Sequence, residues 1–128
     1  MELGESKEDY LETIYVLGDR GTKPVKGIEV AAELSLSKAS VCLAAKKLAE
    51  LGYIEYDKNH EFILTDKGRE LAKKVYERHE FWTTVLIEIG VSEETASNDA
   101  CRMEHVLTDE SYDKMKVFFN RARRLVQE

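Results

Sequence analysis

The sequence predicts a mainly α-helical protein: an N-terminal winged helix-turn-helix of three helices and a two-stranded wing, followed by a helical unit. Three observations predict it. Two short amphipathic segments are joined by a three-residue turn, Ser35-Leu36-Ser37, which is helix-turn-helix spacing. Two β-rich runs of alternating polarity follow at once, Tyr53-Ile54-Glu55-Tyr56 and Glu61-Phe62-Ile63-Leu64, around Asp57-Lys58-Asn59-His60, a stretch with hairpin-turn chemistry. Beyond Thr65 the apolar residues return to helical spacing, interrupted at Gly90-Val91.

Taken in order, the first helix runs over Ser6–Arg20, with Ser6 as its cap and Leu11, Ile14, Tyr15 and Leu17 as its apolar stripe. Gly21-Thr22-Lys23-Pro24 is a turn, and Val25-Lys26 a very short strand. The second helix covers Gly27–Ser35. The third covers Lys38–Leu51, capped by Ser37 and stopped by Gly52. Thr65 caps a long fourth helix, Asp66–Ile89, which Gly68 weakens near its start. Ser92 opens the fifth, Glu93–Leu107, a run without Pro or Gly, and Thr108 opens the sixth, Asp109–Leu125. The chain divides near residue 72, giving domains 1–72 and 73–128. The second is too small and too apolar to stand alone comfortably, so the fourth to sixth helices are expected to form a homodimer.

The composition is that of an ordinary soluble protein: 128 residues, 34% charged and 43% hydrophobic, with a net charge of −6. No apolar run approaches the roughly 20 residues of a membrane span. The N-terminus lacks a secretory apolar region, and two cysteines make no disulfide framework. A cytoplasmic protein with no membrane partner is expected.

The acidic total makes one local exception informative. Between Leu34 and Ala49 there are three lysines and no acidic residue. In a winged helix the third helix enters the major groove. Val41, Ala45 and Leu48 form its core face, leaving Ser37, Lys38, Ala39, Ser40, Cys42, Leu43, Lys46 and Lys47 toward DNA, with Lys58 and His60 on the wing. Lysines there neutralise phosphates and release counterions. The competing reading is a protein–protein winged helix with solvated lysines. Element order and the charge gap favour double-stranded operator DNA as the partner.

The fifth helix carries a different chemistry. Cys101, Glu104 and His105 have i, i+3, i+4 spacing, so a thiol, a carboxylate and an imidazole converge from one helical face. Soft and hard donors together suit a divalent transition metal. Asp9 and Glu12, three apart on the first helix, and His79 on the fourth extend the candidates to six on three helices. Any one of them alone reads as an ordinary surface or core residue; the set carries the case.

The chain resembles the diphtheria toxin repressor family, which includes the iron-dependent repressors and the manganese transport regulators. The resemblance covers about residues 6–126. It rests on Glu8-Asp9-Tyr10-Leu11-Glu12-Thr13-Ile14-Tyr15, on the helix-turn-helix and wing ending in Leu64-Thr65-Asp66-Lys67-Gly68, on Arg78-His79, and on Ala100-Cys101-Arg102-Met103-Glu104-His105-Val106. It implies a dimeric, metal-activated repressor of metal-uptake genes, with a helical metal-binding and dimerisation domain and metal ligands at Asp9, Glu12, His79, Cys101, Glu104 and His105. Asp9 and Glu12 look like the manganese branch and Cys101 like the iron branch. Thr83 and Ser97 stand where the iron branch keeps two ligands of an ancillary site. The chain resembles the short form that lacks an SH3-like third domain. Fe2+ or Mn2+ is the implied cofactor, with Zn2+, Co2+ or Ni2+ able to substitute in vitro.

Three rivals remain on sequence grounds. One is a metal-independent winged-helix transcriptional regulator. A metalloenzyme is disfavoured, since no nucleophile–base pair or Gly-rich phosphate loop stands outside the ligand set, and no organic small-molecule substrate is expected. A structural zinc module would show C-x-x-C spacing, which is missing.

Overall fold

The computed structural model describes residues 3–127. The chain divides into two compact units, one ending at Val75 and the other beginning at Tyr76.

The N-terminal unit contains α1 (Glu5–Leu17), α2 (Gly27–Leu34), α3 (Lys38–Glu50), β1 (Ile54–Tyr56), β2 (Phe62–Leu64) and the start of α4 (Asp66–Glu88). Its three helices and hairpin enclose a core that includes Leu11, Ile14, Val30, Val41, Leu48, Ile54, Phe62 and Leu64. Fully buried aliphatic side chains of this kind cost about 2–5 kcal/mol each when cut back to alanine. The hairpin is antiparallel, pairing Ile54 with Leu64 and Tyr56 with Phe62. Asp57 organises its turn: its Oδ1 accepts from the backbone N–H of Asn59 at 2.8 Å and of Glu61 at 2.9 Å, an Asx-type turn. Val25 adds one bridge to Phe62, exchanging both backbone hydrogen bonds, so the short strand read from sequence is a single bridge.

Caps set several boundaries. Ser37 Oγ accepts from the Ser40 N–H at 3.1 Å, and Thr65 Oγ1 from the Gly68 N–H at 3.0 Å while donating to the Gly52 carbonyl at 2.7 Å. Other boundaries differ from the sequence expectation. Helix α1 starts at Glu5, so Ser6 lies inside it and Gly4 occupies the cap position. It stops at Leu17, not Arg20, because Gly18 caps it and Asp19 and Arg20 both turn left-handed, at φ 52° and 61°. Gly68 is a packing requirement as well as a weak helix former. A Cβ there would lie 1.9 Å from the Tyr53 carbonyl oxygen, so only glycine lets α4 begin against the hairpin.

The C-terminal unit contains the rest of α4, then α5 (Glu93–Met103) and α6 (Asp109–Gln127). Phe81, Trp82 and Val85 of α4 meet Ala100 of α5 and Tyr112 of α6 in an aromatic core. Phe81 stands edge-on to Trp82, Tyr112 and Phe119, at centroid distances of 4.9, 5.4 and 6.1 Å, the favoured geometry for ring quadrupoles. Thr108 caps α6 through Ser111 as expected, while Ser92 holds the cap position of α5 without its side chain accepting a bond. Helix α5 stops at Met103, not Leu107. No glycine or proline ends it. The His105 and Val106 N–H groups instead bond three residues back, to Arg102 and Met103, and this tightening turns the chain into the α5–α6 connection.

Candidate functional site

The early end of α5 changes how the ligand candidates meet. Cys101 stands on its last turn, Glu104 is its C-cap, and His105 lies in the connection beyond. Cys101 and Glu104 converge from the end of α5 as the spacing predicts, while His105 lies beyond the helix and outside that group. His79, on α4, completes the convergence instead. Its Nδ1 lies 3.0 Å from Glu104 Oε2 and 3.7 Å from Cys101 Sγ, and one donor atom from each of the three residues falls within 4.8 Å of the other two. His105 approaches from the opposite side, with Nε2 3.1 Å from Glu104 Oε1, in a geometry short of a hydrogen bond. Glu104, wholly buried, is thus the hub: one oxygen faces His79 and the other His105.

Burial raises the tendency of the Glu104 carboxyl to hold a proton, but the two imidazoles outweigh it and hold the group below the usual carboxylate range. His79 shows the counterpart. Its hydrogen bonds to Cys101 and then Glu104 raise it from 6.5 to about 10, against the opposing effect of burial. A proton on Nδ1 therefore sits where a cation is called for. The donor set fits one. Ions such as Zn2+ take sulfur at about 2.3 Å and nitrogen or oxygen at about 2.0–2.2 Å, so atoms within 4.8 Å of one another can share one ion. A thiol, an imidazole and a carboxylate are the donors a borderline transition metal uses.

Asp9 and Glu12 lie in the N-terminal unit, half-buried and one turn apart on α1. Their neighbour Glu8, absent from the sequence candidates, is fully buried and accepts from the Leu3 N–H at 3.3 Å. Its position one residue from Asp9 gave no signal of that. Thr83 is half-buried on α4 and Ser97 half-buried on α5.

The candidate DNA face divides as the spacing predicts. Val41, Ala45 and Leu48 are buried, while Ser37, Lys38, Ala39, Ser40, Cys42, Leu43, Lys46, Lys47, Lys58 and His60 are all exposed. Leu43, at 72% exposure, is an apolar side chain held in water on that helix. Lys38, Cys42 and His60 share a groove of about 660 Å³ with Lys26 and Tyr56. The sequence reading missed those two; the basic residue opening α2 was the available signal.

Comparison with known proteins bears directly on both sites. Residues 2–61 match the iron dependent repressor N-terminal DNA binding domain, and residues 65–124 match the iron dependent repressor metal binding and dimerisation domain. The chain belongs to the iron-dependent repressor family. It is a metal-dependent transcriptional regulator, and the family consists of regulators, not enzymes. An uncharacterized HTH-type transcriptional regulator of Methanocaldococcus jannaschii is 39% identical over 122 residues, covering 94% of this chain and 98% of that protein. The HTH-type transcriptional regulator MntR of Lysinibacillus sphaericus is 38% identical over 111 residues, covering 86% and 78%. Among solved structures, that of the manganese regulator SloR superposes with a TM-score of 0.80 at 28% identity over 92% of this chain. This chain spans 55% of the SloR chain's length. Among the described residues no helix is long and apolar enough to cross a membrane.

Proposed function

We propose that this regulator is a metal-activated repressor of metal-uptake genes, acting in the cytoplasm as a homodimer on operator DNA when Fe2+ or Mn2+ is bound. The observation that carries the reading is the gathering of His79 of α4 with Cys101 and Glu104 at the end of α5 around one point. Residues 1–72 would form the DNA-binding domain and residues 73–128 the metal-binding and dimerisation domain. The proposed ligands are Asp9, Glu12, His79, Cys101, Glu104 and His105. A divalent cation would take the place of the proton that His79 holds against Glu104 and Cys101. His79 would have to give up its Nδ1 proton to serve as a ligand, and the Glu104 carboxylate would be a second donor. If α1 contributes ligands as well as α4 and the end of α5, occupancy would link the DNA-binding and dimer-forming parts of the chain. Two half-sites require two recognition helices at fixed spacing, so such a link raises DNA affinity without any metal–DNA contact.

The exposed Lys38, Lys46 and Lys47, with Lys58 and His60 on the wing, are proposed to meet phosphates, and Ser37, Ala39, Ser40, Cys42 and Leu43 to lie nearer the base edges. For the dimer, α4 to α6 offer exposed apolar residues, including Ile89 at 68%, Phe118 at 64% and Leu125 at 67%, more than an isolated surface keeps without a use.

Cys101 favours softer ions than an all-oxygen and nitrogen set, and the carboxylates accept Fe2+ and Mn2+. Iron is placed slightly ahead of manganese on that ground. Zn2+, Co2+ or Ni2+ would bind in vitro by the Irving–Williams order.

The deciding experiment titrates metal-stripped protein with Mn2+, anaerobic Fe2+, Co2+ and Zn2+ while fluorescence anisotropy follows its own promoter DNA at fixed salt. Activation by metal, lost in Glu104→Ala, is expected. Equal DNA binding with and without metal would instead establish the metal-independent winged-helix regulator.

A further inference from the structure

Arg78, next to His79 on α4, is only 1% exposed. Its two terminal nitrogens reach different parts of the α5–α6 connection. Nη1 donates to the Leu107 carbonyl at 2.7 Å, and Nη2 bonds to Asp109 Oδ1, the first residue of α6. The guanidinium lies 4.7 Å from the centre of the Tyr112 ring. Its Nε is buried without a hydrogen-bond partner.

A buried arginine with one donor unsatisfied is a poor choice for stability alone, since an apolar side chain of similar volume often serves as well or better. What arginine adds is a rigid planar fork that fixes two acceptors relative to one helix. Here the two acceptors flank Thr108, the cap of α6. The four residues before that cap, 104–107, begin at Glu104, which His79 engages, and carry His105. Consecutive residues of α4 therefore hold the two ends of one short connection: His79 the end that bears the ligands, Arg78 the end that joins α6.

We infer that Arg78 is a positioning residue for the metal centre: by tying Leu107 and Asp109 to α4, it fixes the path of residues 104–107 and so the placement of Glu104 and His105. It touches no metal itself. The inference rests on the metal reading above and adds to it a residue that no ligand pattern contains. Partners that orient metal ligands commonly change metal affinity about 10–100-fold when altered.

The test uses the full chain and Co2+ as the probe, in wild type, Arg78→Lys, Asp109→Asn and Val85→Ala. Lysine keeps the charge but cannot serve both acceptors. Asp109, with 61% of its side chain exposed, can be neutralised without opening the core. Val85→Ala lowers stability through the aromatic core while leaving both Arg78 hydrogen-bond partners in place. Co2+ affinity is read by chelator competition, with the sulfur-to-cobalt absorption band reporting the Cys101 bond. Amide hydrogen exchange in the metal-free protein reports the path of residues 104–107. Arg78→Lys and Asp109→Asn are expected to weaken Co2+ binding about tenfold or more and to speed exchange at His105 and Val106. Val85→Ala should lower the melting temperature while retaining wild-type Co2+ affinity. Wild-type affinity in both Arg78→Lys and Asp109→Asn, or an equal loss in Val85→Ala, would overturn the inference. Absence of Co2+ binding by the wild type would overturn the metal reading and the inference with it.

Discussion

Helix α3, the proposed recognition helix, and the proposed metal cluster treat charge in opposite ways. On α3, Lys38, Lys46 and Lys47 stand in water, and an ion pair there, Lys47 with Glu50 at 4.0 Å, has both partners more than half exposed. Such a pair contributes about 0–1 kcal/mol. Around Glu104, by contrast, a buried carboxylate, two imidazoles and a thiol depend on one another. The first surface is a set of solvated, largely independent charges, the arrangement the proposed phosphate contacts call for. The second is a hydrogen-bonded network in which His79 is raised and Glu104 lowered by their neighbours. Changes on α3 should therefore be modest and additive, and changes in the cluster large and interdependent.

The largest expected effect sharpens this contrast through pH. His79 is raised from 6.5 to about 10, so its proton must leave before Nδ1 can bind metal. Between those limits, metal affinity should rise with pH by up to about tenfold per unit for the one proton released, read by Co2+ competition at several pH values. The sign reverses for the metal-free fold. A group whose folded value is raised contributes stability fully below 6.5 and loses it as pH climbs toward 10. Thermal melts of the stripped protein should fall over that range, and those of His79→Gln should fall less. A metal affinity flat with pH would remove the proton from its assigned place.

Next in size is coupling inside the cluster. His79→Ala and Cys101→Ala each remove one of two groups that share a hydrogen bond. Their double mutant should depart from additivity in Co2+ binding by about 0.5–3 kcal/mol. Strict additivity would mean that the two side chains act separately and the contrast with α3 fails.

The smallest effects belong to the recognition helix. Lys46→Ala and Lys47→Ala should each weaken operator binding several-fold and lower the salt slope by about one, and the pair should add. A hundredfold loss from either alone, with the slope unchanged, would mark a base-reading contact instead of a phosphate contact.

The same contrast explains what the sequence disclosed. Element order, the buried stripe of Val41, Ala45 and Leu48, the Ser37, Thr65 and Thr108 caps and the Asp57 turn all follow from neighbours within a few residues, and all were legible. Helix α5 was misjudged because no residue in it signals a stop; its end at Met103 is made by a change in hydrogen-bond register, with Arg78 holding the chain beyond it. That same end separates Cys101 from His105 and places Glu104 between them. The six ligand candidates could be named from residue types. Which nitrogen faces which oxygen, and the burial of Arg78 and Glu8, depend on contacts between residues far apart in the chain, and periodicity carries no trace of those.

The approach of Gly68 to Tyr53 has a consequence for how this chain can diverge. Alanine is ordinarily the best helix former, about 1 kcal/mol better than glycine inside a helix. At position 68 it would thrust a methyl group to within 1.9 Å of a main-chain oxygen. The substitution that improves most helices would be among the least tolerated here. In a library of random variants selected for folding, position 68 should stay glycine while the exposed Glu70 two residues on varies, a frozen site created by the atoms a residue lacks.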